Sequence, residues 1–164
     1  MTGQIRDARI SDFDELCALF AEENQFHASL VPAYIKLTRQ VLTKEELREF
    51  LTEDTNRLFV CAADDALLGA VLVSLKDGQR ARWRQPRRTG YIEDLIVTAT
   101  AQGQGIGRQL MQAARDWVLS QGIQSIELHV WEANIGACRF YESLGLTSVQ
   151  RRMSWKLQAE ARRM

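Results

Sequence analysis

Two segments of the chain carry residues whose types and spacing could do chemistry. In the first, the apolar run Tyr91–Thr98 (YIEDLIVT) leads into Gln102-Gly103-Gln104-Gly105-Ile106-Gly107, and a helical pattern begins at once. Backbone N–H groups at a helix start have no intrahelical partner, and the helix dipole adds partial positive charge there. Glycines let the backbone come close to a ligand. The pattern therefore predicts a site for phosphate or pyrophosphate. It is not the phosphate loop of the nucleotide triphosphatases, because no lysine follows the glycines. Nor is it the dinucleotide fingerprint GxGxxG, since the spacing here is GxGxG. The plain alternative is a turn that serves chain geometry alone.

The second segment runs from Trp131 to Leu146 (WEANIGACRFYESLGL). Asn134 is placed as an N-cap and Gly145 as a helix terminator. Ala137, Phe140, Tyr141 and Leu144 then share one face, as in a helix packed on a sheet. Charge within the first segment also needs an account. Glu93 and Asp94 interrupt a strand otherwise built from Tyr, Ile, Leu, Ile and Val, where a carboxylate is costly unless it is exposed or functional. Strict alternation places Glu93, Leu95 and Val97 on one face and Asp94 on the other.

Taken together, the two segments resemble the GNAT superfamily, the Gcn5-related N-acetyltransferases. The family's pyrophosphate loop reads Gln/Arg-x-x-Gly-x-Gly/Ala, which Gln102 to Gly107 match at every fixed position. Its second block, N-x-x-A-x-x-F-Y-x-x-x-G, matches Asn134 to Gly145, about 30 residues later. The resemblance implies acetyl-CoA as cosubstrate and no metal. The coenzyme's pyrophosphate would lie on Gln102, Gly103, Gln104, Gly105, Ile106, Gly107 and Arg108. Leu95, Ile96 and Val97 would run beside the pantetheine and thioester, and Asn134 would contact the pantetheine arm.

The implied reaction sets the catalytic assignments. Acyl transfer from a thioester expels a thiolate whose conjugate thiol has a pKa near 8.5, and a phenol beside the sulfur can protonate it. In the family the tyrosine matching Tyr141 has that role. The acceptor is mostly an ammonium at neutral pH, with a pKa near 10.4, so a base is needed. Tyr91 to Val97 look like the corresponding strand of the diamine acetyltransferase branch. That likeness implies Glu93 as base, with Asp94 in support. The wider GNAT resemblance implies an acceptor site on the first two helices and their connection, where Phe26 and His27 are candidate contacts and the diamine likeness weakens. Glu22 and Glu23 suit either a cationic amine or a solvated helix end. The diamine likeness is absent from the basic loop Lys76–Gly90 (Arg80, Arg82, Arg84, Arg87, Arg88), which reads as a solvated hairpin.

These groups must be positioned by the remaining elements. Gln4–Ile10 reads as a strand, and Ser11 with Asp14 as a capping box opening a helix. Pro32 can begin a second helical segment, and Thr43 with Glu46 cap another before Leu47, Phe50 and Leu51. Arg57–Ala63 and Leu67–Leu75 form a hairpin around Asp64-Asp65. Arg108–Ser120 is helical, Ser125–Trp131 a strand, Ile135–Leu144 a helix and Arg151–Leu157 a final strand. This order predicts one α/β three-layer sandwich over residues 1–164, its mixed, mostly antiparallel sheet flanked by helices as in the GNAT fold.

Composition bounds the partners. Lys plus Arg and Asp plus Glu both number 21, so charge gives no reason to expect nucleic acid. Cys17, Cys61 and Cys138 are widely spaced, and with only His27 and His129 they support neither a disulfide framework nor a zinc site. No apolar stretch suits a signal peptide or membrane span, so a cytoplasmic protein acting on a small-molecule amine is expected, with a homodimer allowed. Acetylation of a protein N-terminus or lysine is the competing enzymatic reading. A non-catalytic acetyl-CoA-binding regulatory domain would not need Glu93 and Tyr141 together.

Overall fold

A computed structural model of the protein describes residues 3–64, 66–78 and 82–157. Asp65 of the expected hairpin turn and Arg80 of the basic loop lie outside them. The elements run β1 (Gln4–Asp7), α1 (Phe13–Leu30), α2 (Lys44–Thr52), β2 (Asn56–Ala63), β3 (Ala66–Asp77), β4 (Arg88–Val97), α3 (Ile106–Ser120), β5 (Ile126–Leu128) and α4 (Ile135–Ser143). The five strands lie in sequence order. β1 to β4 pair antiparallel, whereas β4 and β5 are parallel because α3 crosses between them.

A helical layer covers each face. On one, Leu16 and Leu19 of α1 and Leu47 of α2 pack with Leu58, Val60, Ala70, Leu72 and Ile96 of the sheet. On the other, Leu110, Met111, Ala114 and Val118 of α3 pack with Val71, Val73 and Ile92, and Phe140, Tyr141 and Leu144 of α4 adjoin them. This is the expected α/β sandwich.

Several local expectations change. β1 is shorter than Gln4–Ile10, because Ile10–Asp12 forms a 3-10 turn. The helix start is organised by Asp12 rather than by Ser11 with Asp14. Asp12 is 5% exposed, and its carboxylate accepts from the Arg9 amide at 2.7 Å and from Arg6 at 2.8 and 2.9 Å. The Arg6 hydrogen bond holds the Asp12 pKa below its ordinary value. Pro32 starts no helix: α1 ends at Leu30, and a turn follows. The Thr43–Glu46 capping box forms as expected.

β4 starts at Arg88, its first residue pairing with Asp77 of β3, so the basic loop is shorter than Lys76–Gly90. Arg87 and Arg88 are engaged by Glu127 and Asp77. α3 begins two residues before Arg108, at Ile106. β5 covers only Ile126–Leu128 of the expected Ser125–Trp131. Arg151–Leu157 is not paired as a strand.

Replacing Asp12 by Ala leaves Arg6 without its acceptor and the Arg9 amide unpaired. Asp12→Ala is expected to cost about 3 kcal/mol of stability. Urea unfolding at neutral pH checks this; a loss below about 0.5 kcal/mol, the scale of an ordinary surface change, would show that the pair does not organise the helix start.

Candidate active site

The site starts from an irregularity in β4. Leu72 of β3 lies opposite Asp94, but the next residue, Val73, lies opposite Ile92, so Glu93 is an extra residue in the ladder. A bulge of this kind shifts side-chain alternation by one. Below it, Tyr91 is paired with Ser74 and shares its face; above it, Asp94 is paired with Leu72 of the α1 face. Glu93 also reaches Ser74, whose hydroxyl donates to it at 2.6 Å. Both carboxylates therefore look toward α1. This corrects the strict alternation that separated Asp94 from Glu93, and it sends Leu95 and Val97 to the α3 face.

The two acids differ in partners. Glu93 is exposed and lies 2.6 Å from the Lys76 ammonium, which also sits over the Tyr91 ring. Asp94 is half-buried. Burial first, and the neighbouring Glu93 second, push its pKa up to about 6. Across from it, α1 contributes Glu23, whose side chain is 18% exposed. Burial and the charge of Asp94 raise Glu23 to about 8. His27, one helical turn further on, has Nδ1 at 4.0 Å from Glu23 and is kept below its ordinary pKa by burial. Phe26 is 49% exposed, with its ring 5.5 Å from that of His27.

Tyr141 completes the cluster. Burial raises its pKa to about 12, and Glu23, Asp94 and Cys138 push in the same direction. The phenol therefore keeps its proton at neutral pH. Sequence reasoning singled out Glu93 and left Glu23 open. The missed signal is helical spacing: Leu16, Leu19 and Glu23 fall on one stripe of α1, and both leucines are buried.

The sheet opens beside this cluster. β5 pairs with β4 from Gly90 to Ile92, so among the described residues the backbone edge of residues 93–97, Leu95, Ile96 and Val97 among them, has no strand on the β5 side. The glycine turn lies at the end of this edge. Gly103 and Gly105 take φ of 76° and 82°, the left-handed region that glycine tolerates. Among the described residues, no amide from Gly103 to Arg108 donates to a backbone carbonyl; the first that does is Gln109, to Gly105 at 3.1 Å. Free amides at a helix start suit an anion. Gly107 has a different reason: a Cβ there would lie 3.2 Å from the Phe140 ring, so it lets α3 and α4 close together.

Side chains brace the turn. Gln102 donates to the Val97 carbonyl and Gln104 to that of Thr100. Glu22 accepts from Thr98 Oγ1 at 2.9 Å and from the Ala99 amide at 2.6 Å, fastening α1 to the chain after β4. Arg108 donates to Ser143 of α4. Asn134 caps α4, its Oδ1 accepting from the Ala137 amide at 3.1 Å. Among the described residues, no group of three or more His, Cys, Asp or Glu is placed to hold a metal ion.

Residues 14–146 match the model of the Acetyltransferase (GNAT) family, and the chain belongs to that family. It is an N-acetyltransferase. The chain is 26% identical to the mouse (Mus musculus) thialysine N-epsilon-acetyltransferase, over 98% of its own length and 95% of the relative's. A mutant protein of Bacillus halodurans superposes with a TM-score of 0.89 at 24% identity, over 94% of this chain and 99% of that one. An aminoglycoside N-acetyltransferase in complex with CoA superposes with a TM-score of 0.69 at 15% identity, over 95% and 100% of the two chains. These last two are likenesses of fold.

A carboxyl whose pKa is raised on folding binds its proton more tightly in the folded state. Glu23 therefore makes stability fall as pH rises from the ordinary value of 4.5 to about 8, and level off beyond. Glu23→Gln should flatten that fall and stabilise the protein at pH 8 relative to pH 5. Thermal unfolding across this range decides the point; an unchanged slope would place the Glu23 carboxyl in solvent.

Proposed function

We propose that the enzyme transfers the acetyl group of acetyl-CoA to the primary amine of a small molecule, with Tyr141 as acid and Asp94, assisted by Glu23, as base. The observation that carries this reading is the half-buried carboxyl pair beside a protonated phenol at the open edge of β4. The free amides from Gly103 to Arg108 suit the coenzyme's pyrophosphate. The unpaired edge at Leu95, Ile96 and Val97 suits its pantetheine arm, and Asn134, at the start of α4, is read as a further contact to that arm. Residues 1–164 are read as one catalytic unit.

An ammonium entering between Glu23 and Asp94 favours the ionised form of both carboxyls, opposing the burial that raises their pKa values. Asp94, with a pKa of about 6, is largely ionised at neutral pH and accepts the proton that makes the nitrogen nucleophilic. The C–N bond forms at the thioester carbonyl as the C–S bond breaks. Tyr141 donates its proton to the leaving sulfur, and the second proton that the nitrogen sheds as the amide forms restores the phenol. The base is placed on Asp94 rather than Glu93 because Lys76 and Ser74 already occupy the Glu93 carboxylate. Phe26 and His27 are read as acceptor contacts. The balanced net charge and free cysteines suit a cytoplasmic enzyme that does not bind nucleic acid.

The reading is tested by thiol release from acetyl-CoA with a panel of small amines and lysine peptides; small amines should be the better acceptors by kcat/KM, and preference for peptides would overturn it. With a good acceptor, Asp94→Asn should lose activity near neutral pH and recover in part as pH approaches the amine pKa, about 10.4. Glu93→Gln should change the profile far less; the reverse pattern would assign the base to Glu93. Tyr141→Phe should lower kcat by about 10²-fold with little change in acetyl-CoA affinity. Unaltered turnover would reduce Tyr141 to a packing residue.

A further inference from the structure

β3 brings a cation to the edge of the acid cluster. Leu72, Ser74 and Lys76 alternate onto its α1 face; the first two are buried and the lysine is exposed. Two groups fix that lysine. Its ammonium lies 2.6 Å from the Glu93 carboxylate and 3.9 Å from the centre of the Tyr91 ring, whose π face attracts a cation. Tyr91 is held in turn by His129, just past β5, whose Nδ1 shares a hydrogen bond with the phenol. Glu93 is held from its other side by the buried Ser74 hydroxyl.

An ion pair whose side chains are 47% and 31% exposed adds little to stability. Its consequence lies in the charge left for an acceptor. Glu23, Glu93 and Asp94 form one neighbourhood, since Asp94 feels the charge of Glu93 and Glu23 feels that of Asp94. Lys76 cancels one of these three acids. Asp77, next in the chain, is engaged by Arg88 instead. What remains, Glu23 with Asp94, matches a single ammonium. A second ammonium on the same molecule would find Glu93 occupied and would meet the Lys76 charge.

We infer, on the acceptor site proposed above, that Lys76 determines specificity: by occupying Glu93 it restricts the acceptor to amines carrying one positive charge. Without the lysine, Glu93 is left to receive a second ammonium, so a diamine gains where a monoamine does not.

The test compares kcat/KM for butylamine and diaminobutane, which share a chain length and differ by one charge at neutral pH. Butylamine should be the better acceptor for the wild type. Lys76→Met should raise the diaminobutane-to-butylamine ratio about 10-fold or more, the scale of one partly screened charge pair. Added salt should shrink that gain. Lys76→Arg should keep the wild-type ratio, and Lys76→Met combined with Glu93→Gln should return to it. Each ratio is internal to one variant, so a general loss of activity does not move it. With both amines acetylated, an unchanged ratio in Lys76→Met would overturn the inference and leave the acceptor assignment standing. A gain that survives Glu93→Gln, or a wild type that prefers diaminobutane, would do the same. Acetylation of lysine peptides but of neither amine would overturn both readings.

Discussion

The site depends on one extra residue in β4. Without the bulge at Glu93, alternation would continue through the strand, and Asp94 would face a different helical layer from Glu93. The insertion shifts the pattern once, between Ile92 and Asp94. Below it, Ile92 packs toward α3; above it, Ile96 packs toward α1. Two adjacent acids are thereby presented to α1, while Leu95 and Val97 remain with α3. One strand thereby presents its acids to one helical layer and packs its apolar residues against the other.

The rest of the site is arranged around that strand. β5 stops pairing at Ile92–Leu128, just where the bulge begins, and this opens the edge of residues 93–97. The strand then runs into a turn whose two left-handed glycines expose successive amides at the start of α3. Glu22 and Glu23, neighbours on α1, divide the work. Glu22 is consumed in holding Thr98 and Ala99, while Glu23 turns inward beside Asp94 and Tyr141. Burial makes both of these carboxyls easier to protonate and the phenol harder to ionise.

Stability and chemistry oppose each other here. Asp12 lies buried against Arg6, its charge satisfied by two guanidinium hydrogen bonds and an amide. Glu23 and Asp94 have no comparable partner, and burial raises the pKa of both. The contrast fits a cluster that awaits a cation from outside. The basic residues flanking β4 are instead spent locally, with Lys76 on Glu93, Arg87 on Glu127 and Arg88 on Asp77.

The sequence by itself determined the layered α/β fold, the glycine turn, the Thr43 and Asn134 caps and the family, because these rest on local periodicity, capping chemistry and fixed spacing. It also singled out Glu93, Asp94 and Tyr141 as candidates, since charge within an apolar strand and a phenol on a packed helix stand out. Tertiary structure alone decided how they combine. A bulge arises from pairing with a second strand, so period-two reading of β4 could not reveal that Glu93 and Asp94 share a face. The inward turn of Glu23 reflects the docking of α1 on the sheet, and the engagement of Glu93 reflects Lys76 and Ser74 on β3. For Arg151–Leu157 a strand was expected, but a strand exists only where an edge receives it, and among the described residues none does.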